Sequence, residues 1–146
     1  MVKLNAAQLE AVHHLDSPLL VLAGAGSGKT RVITHKIAWL VDDYGVKPTQ
    51  IAAITFTNKA AKEMKERVGK LIGARAEGVI VSTFHALGVR ILRQEAAKAG
   101  LKPAFSILDA ADTTALFQEL AGNVDKSRLR ALQSRISLWK NQLVEP

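Results

Sequence analysis

The chain has 146 residues, about the size of one domain, and its 48% hydrophobic content is enough to bury a core. Its 20 Lys and Arg against 13 Asp and Glu give a net charge of +7 and a pI near 9.9; this balance suits a polyanion, although charge alone leaves nucleic acid and generic basicity equally open. The lack of cysteine excludes disulfides and thiolate metal sites, His13, His14, His35 and His85 show no metal-ligand spacing, and no leader or ~18-residue apolar span occurs, so a soluble, cytoplasmic protein with no membrane partner is expected.

In chain order, Ala7, Ala11, Val12 and Leu15 have the spacing of a short helix over 5–15, with Asn5 as its cap and Ser17-Pro18 as its end. The continuous apolar run Leu19 to Ala23 predicts a strand buried on both faces. Gly24 to Gly28 forms a loop, and a helix from Lys29 carries Val32, Ile33, Ile37, Leu40 and Val41 on its apolar side, with Gly45 just past its end. Ile51 to Phe56 predicts a second buried strand. Asn58 is placed to cap the next helix, whose apolar stripe is Ala61, Met64, Val68 and Leu71, with Gly73 beyond it. Val79 to Val81 begins a third strand, and Ser82 or Thr83 caps a helix from Phe84 to Gly100. This alternation predicts a parallel sheet covered by helices.

From about Ser106 the character changes. Asp109 and Asp112 read as a cap and a first-turn acid for a helix over 110–120, and another helix is expected over 127–143. Residues 109–146 therefore read as a helical element, separate from the α/β part or inserted into it. Trp39 and Trp139 sit among apolar residues at helical spacing, which favours packing over base stacking.

The loop AGAGSGKT fits a phosphate cradle of the form G-x-x-x-x-G-K-[ST], except that Ala23 takes the first glycine position. Glycines let successive backbone N–H groups converge on phosphate oxygens, and the helix N-terminus adds its positive dipole end. Lys29 is the residue type that reaches β- and γ-phosphates, and Thr30 the type that ligates Mg²⁺. Hydrolysis also needs an acid at the end of another apolar strand. Asp42 and Asp43 follow an apolar run that continues the preceding helix, and Asp109 reads as a cap, so neither supplies it.

"TFTNKAAKEMKERV" leaves the second strand with Phe56, Thr57, Asn58 and Lys59 in succession, at the end of the sheet where ligands bind. Phe56 suits base stacking and the next three suit phosphates; the competing reading makes Phe56 core and Asn58 only a cap. "STFHALGVRILR" poses the same choice for Thr83 and His85.

Taken together, these stretches resemble the N-terminal part of the UvrD/Rep/PcrA group of superfamily 1 DNA helicases. "LNAAQLEAV" is similar to the adenine-reading Q motif, "AGAGSGKTR" to motif I including its alanine, and "ITFTNKAAKEMKERV" and "STFHALGVRILR" to motifs Ia and Ib. "FSILDAAD" and "SRISLWKNQLVEP" are most similar to the Rep branch. The resemblance implies a RecA-like P-loop NTPase sheet with flanking helices over 1–108, part of motor domain 1A, followed by the start of helical subdomain 1B over 109–146. It implies that Gln8, Ala23, Gly24, Ala25, Gly26, Ser27, Gly28, Lys29, Thr30 and Arg31 bind ATP with Mg²⁺. In that scheme Thr30 is the metal ligand, and Lys29 and Thr30 serve catalysis. Phe56, Thr57, Asn58, Lys59, Thr83 and His85 are implied to contact single-stranded DNA. The implied parent is a cytoplasmic 3′–5′ helicase of DNA replication or repair. The Asp-Glu motif and the second motor domain, 2A, are not in this sequence, so these residues alone are expected to lack ATPase and unwinding activity. A small-molecule kinase and a non-catalytic nucleotide or nucleic-acid binding module remain alternatives.

Overall fold

The computed structural model describes residues 4–122 and 124–144; residues 1–3 and 145–146, the outer ends of the two expected segments, lie outside it. The chain divides into two compact units, 1–99 and 100–146.

In the first unit, helix α1 (Ala6–His13) starts at a capping box: the Asn5 carboxamide accepts from the Gln8 N–H, and the Gln8 side chain accepts from the Asn5 N–H. Helix α2 (Lys29–Asp42) buries Val32, Thr34, Ile37 and Val41. Ile33, expected on the buried side, is exposed; Thr34 lies inward instead, its hydroxyl satisfied by the Arg31 carbonyl at 3.0 Å. Lys36 of α2 donates to the carbonyls of Ala11, Val12 and His14, which closes the C-terminal end of α1 against α2. Burial holds the Lys36 ammonium below its ordinary pKa. Trp39 packs between the rings of His13 and Tyr44, in line with its expected packing role.

Strands β1 (Ala52–Thr55) and β2 (Ile80–Thr83) pair in parallel, Ala52 opposite Ile80 through Thr55 opposite Thr83. The crossover between them is helix α3 (Asn58–Ile72), and helix α4 (Phe84–Gln94) follows β2. The main core gathers Ile37 and Val41 of α2, Ile51 and Ala53 of the β1 run, Met64, Val68 and Ile72 of α3, and Ala76 and Val79.

The unit departs from expectation at further points. β1, expected as a buried strand, buries only Ala53 and leaves Ile54 38% exposed. Leu19 to Ala23 is not a strand: among the described residues β1 and β2 pair only with each other, so the run has no ladder to join. Its Leu20 and Leu22 are 81% and 86% exposed. The cap of α3 is Thr57, whose hydroxyl accepts from the Ala60 N–H at 3.1 Å from an extended backbone, and Asn58 is the first helical residue. The α3 stripe continues at i, i+4 spacing to Ile72, leaving Leu71 exposed. Helix α4 stops at Gln94, where the apolar periodicity gives way to Glu95-Ala96-Ala97-Lys98-Ala99 and leaves no wide stripe to bury.

The second unit holds α5 (Ala110–Ala121) and α6 (Lys126–Asn141). Asp109 caps α5 in a reciprocal box with Asp112, and Asp125 caps α6. Trp139 is partly exposed, with the Arg135 guanidinium 5.4 Å from its ring centre.

Candidate functional site

The loop before α2 is shaped by glycines where they are needed. Gly26 and Gly28 have φ of +76° and +88°, a region open to glycine and strained for other residues. Gly28 is the N-cap of α2 and offers no side-chain hydrogen bond, so the first N–H groups of the helix are left for a ligand or solvent. A Cβ on Gly24 or Gly26 would meet nothing within 4 Å, which describes an open cradle.

The loop is also closed on itself. Lys29 Nζ donates to the carbonyls of Ala23 at 2.9 Å and Gly24 at 2.7 Å, and the Ser27 hydroxyl donates to the same Gly24 carbonyl at 2.7 Å. Thr30 and Arg31 follow in the first turn of α2, both half-buried. Gln8 reaches across from α1, and its Nε2 donates to the Ser27 carbonyl at 2.9 Å. A cavity of about 200 Å³ lies between α1, the Leu22–Ala23 stretch and the loop, lined by Ala7, Gln8, Ala11, Ser27, Lys29 and Val32, among others. It is smaller than the ~300–1,000 Å³ usual for small-molecule sites, so it suits one part of a ligand whose remainder projects outward.

A second group forms at the carboxyl ends of the strands. The register sets Thr55 opposite Thr83, so Phe56 and Phe84 leave the sheet side by side. They are 96% and 72% exposed, a large apolar area for one edge. Asn58, Lys59 and His85 are exposed beside them. Thr57 and Thr83 direct their hydroxyls into helix caps instead, and Thr83 is buried, its oxygen accepting from the Ala86 N–H at 3.2 Å. Phe84 is not among the residues expected from sequence; its signal is its position, directly after β2 as Phe56 is after β1.

Among the described residues no three His, Cys, Asp or Glu side chains gather as a metal site, and no helix is long and apolar enough to cross a membrane. Asp42 ends α2 and is held by Arg75 at 2.8 Å, and Asp109 is a cap. Asp43 is the C-cap of α2, its N–H donating to the Trp39 carbonyl.

A small parallel sheet, flanking helices and a glycine-rich loop opening a helix define a mixed α/β protein with a phosphate-cradle sequence. Residues 4–146 match the profile of the UvrD/REP helicase N-terminal domain, and the chain belongs to that family. It is 52% identical over 149 residues to the ATP-dependent DNA helicase Rep of Escherichia coli (strain K12), an alignment covering 99% of this chain. It is 48% identical over 147 residues to the ATP-dependent DNA helicase PcrA of Staphylococcus aureus (strain Mu50), covering 98%. The chain spans only 22% and 20% of the lengths of these two relatives. The family match lends no support to the kinase or the non-catalytic module.

Proposed function

We propose that this chain is the ATP-binding and single-stranded-DNA-contacting N-terminal part of an ATP-dependent 3′–5′ DNA helicase that serves replication or repair in the cytoplasm. The supporting observation is the glycine loop that leaves the α2 N-terminus uncapped by any side chain, with Lys29 and Thr30 in its first turn. Residues 1–108 then belong to a RecA-like motor domain 1A, and 109–146 to the start of 1B.

In this reading the N–H groups from Gly24 to Thr30 converge on the phosphates, and Lys29 exchanges its carbonyl partners for the β- and γ-oxygens. Arg31 lies one residue further along α2, beside the phosphates or base. Thr30 is the residue whose hydroxyl would hold Mg²⁺, and the metal would supply neutralisation of the phosphate charge. Gln8 reads the adenine edge. Phe56 stacks on a base while Thr57, Asn58, Lys59, Thr83 and His85 line the path of the strand, the Thr57 and Thr83 hydroxyls being committed to helix caps.

These residues contain no Asp-Glu pair to hold the metal and activate water. Taken alone, they bind nucleotide weakly without turning it over; motor domain 2A completes the site. Steady-state ATPase with saturating single-stranded DNA tests this, because turnover near the ~10 s⁻¹ typical of enzymes overturns it. Lys29→Ala is expected to abolish nucleotide binding, and Phe56→Ala to cost oligonucleotide binding about 1–3 kcal/mol.

A further inference from the structure

We infer that Gln8 is a positioning residue for the phosphate loop, acting through the Ser27 carbonyl whether or not a base is present; this rests on the nucleotide-site reading above. A carboxamide has two donor hydrogens on nitrogen and two lone pairs on oxygen. In Gln8 one lone pair accepts from the Asn5 N–H at 3.0 Å, and one hydrogen goes to the Ser27 carbonyl at 2.9 Å. One hydrogen and one lone pair therefore remain for a ligand. Gln8 bridges α1, the loop and the cavity without having to release any of them.

The bond acts at a sensitive place. Ser27 also donates its hydroxyl to Gly24 at 2.7 Å, so fixing the Ser27 carbonyl fixes the peptide between the glycines that shape the cradle. The next residue, Gly28, turns at φ +88°, and a Cβ there would lie 2.9 Å from Gln8 Nε2. The approach of the Gln8 amide and the left-handed glycine thus occupy the same space. The Gln8 amide is oriented by a backbone N–H of residue 5, so the grip does not depend on the Asn5 side chain.

The experiment is calorimetric titration of the chain with ATP and with inorganic tripolyphosphate, both with Mg²⁺, for the unaltered chain, Gln8→Met and Asn5→Ala. Gln8→Met keeps length but removes both amide contacts. It is expected to weaken tripolyphosphate binding about tenfold, the upper range for one net hydrogen bond, and ATP binding at least as much. Asn5→Ala lowers the melting temperature by weakening the α1 cap, yet is expected to hold tripolyphosphate affinity within about twofold, less than one hydrogen bond is worth. If Gln8→Met loses ATP but binds tripolyphosphate normally, Gln8 only reads the base and the inference falls while the nucleotide reading stands. If both variants lose tripolyphosphate alike, the effect is α1 stability and the inference again falls. If the unaltered chain binds neither ligand, the nucleotide reading and the inference fall together.

Discussion

Two apolar runs of nearly equal length meet opposite fates. Ile51 to Phe56 yields β1, with Ile51 and Ala53 buried against α2 and α3. Leu19 to Ala23 is the more hydrophobic of the two, yet it forms no strand and leaves its leucines in solvent. The difference lies outside either run. A parallel strand needs a neighbour to bond and apolar cover on at least one face. β1 finds β2 by way of the α3 crossover, and α3 covers it, whereas no second strand lies along Leu19 to Ala23 among the described residues. Hydrophobicity nominates a strand; pairing makes one.

Stability measurements test this contrast most directly. Met64 is buried beneath β1, and Met64→Ala is expected to cost ~2–5 kcal/mol by denaturant unfolding, combining lost transfer energy and a cavity. Leu20→Ala is expected to stay within ~0.5 kcal/mol, as for an exposed surface site. A Leu20 cost equal to that of Met64 would show that the first run is packed after all and break the comparison. Amide exchange sharpens it further. The Ile80 N–H donates to the Ile51 carbonyl at 3.0 Å and is expected to exchange far more slowly than the amides of Leu20 to Leu22.

The next effect lies at the end of the paired strand. Thr83 closes β2 and caps α4, so Thr83→Ala is expected to cost ~1 kcal/mol, with Thr83→Ser close to neutral. Because its hydroxyl points into the cap, oligonucleotide affinity is expected to fall less for Thr83→Ala than for Phe56→Ala.

What was legible in the sequence follows the same division. Signals acting within a few residues could be read: the Asn5 and Asp109 caps, the glycines after α2 and α3, the start of α5 and the loop before α2. The α3 cap differs from expectation by one position because Thr57 and Asn58 are both good capping residues and only the backbone φ and ψ separate them. Contacts between distant residues were hidden. Nothing in "NAAQ" announces that Gln8 grips Ser27, nineteen positions away, or that Lys29 turns back on Ala23 and Gly24. Phe84 was hidden for the same reason, since its place beside Phe56 depends on strand register.

The smallest expected effect tests whether the local signals stand without partners. Asp125 caps α6 by accepting from the Ser127 hydroxyl at 2.5 Å and from the N–H groups of Ser127 and Arg128 at 2.8 and 3.0 Å. The Ser127 hydroxyl foremost, then the Arg128 and Ser127 amides, hold its carboxyl below the ordinary value of 3.8. A depressed carboxyl pKa means that the cap's charge-dependent contribution is complete above pH 3.8 and is lost as pH falls through the lower folded value. Acid titration followed by NMR is therefore expected to fray the first turn of α6 only below pH 3.8, with the Ser127 and Arg128 amides gaining exchange together. Asp125→Asn keeps an acceptor but cannot titrate, so it is expected to remove that acid step while leaving the helix start in place at neutral pH. Fraying of the variant with the same acid midpoint would show that α6 depends on packing elsewhere in its unit, and its start would then be as partner-dependent as β1.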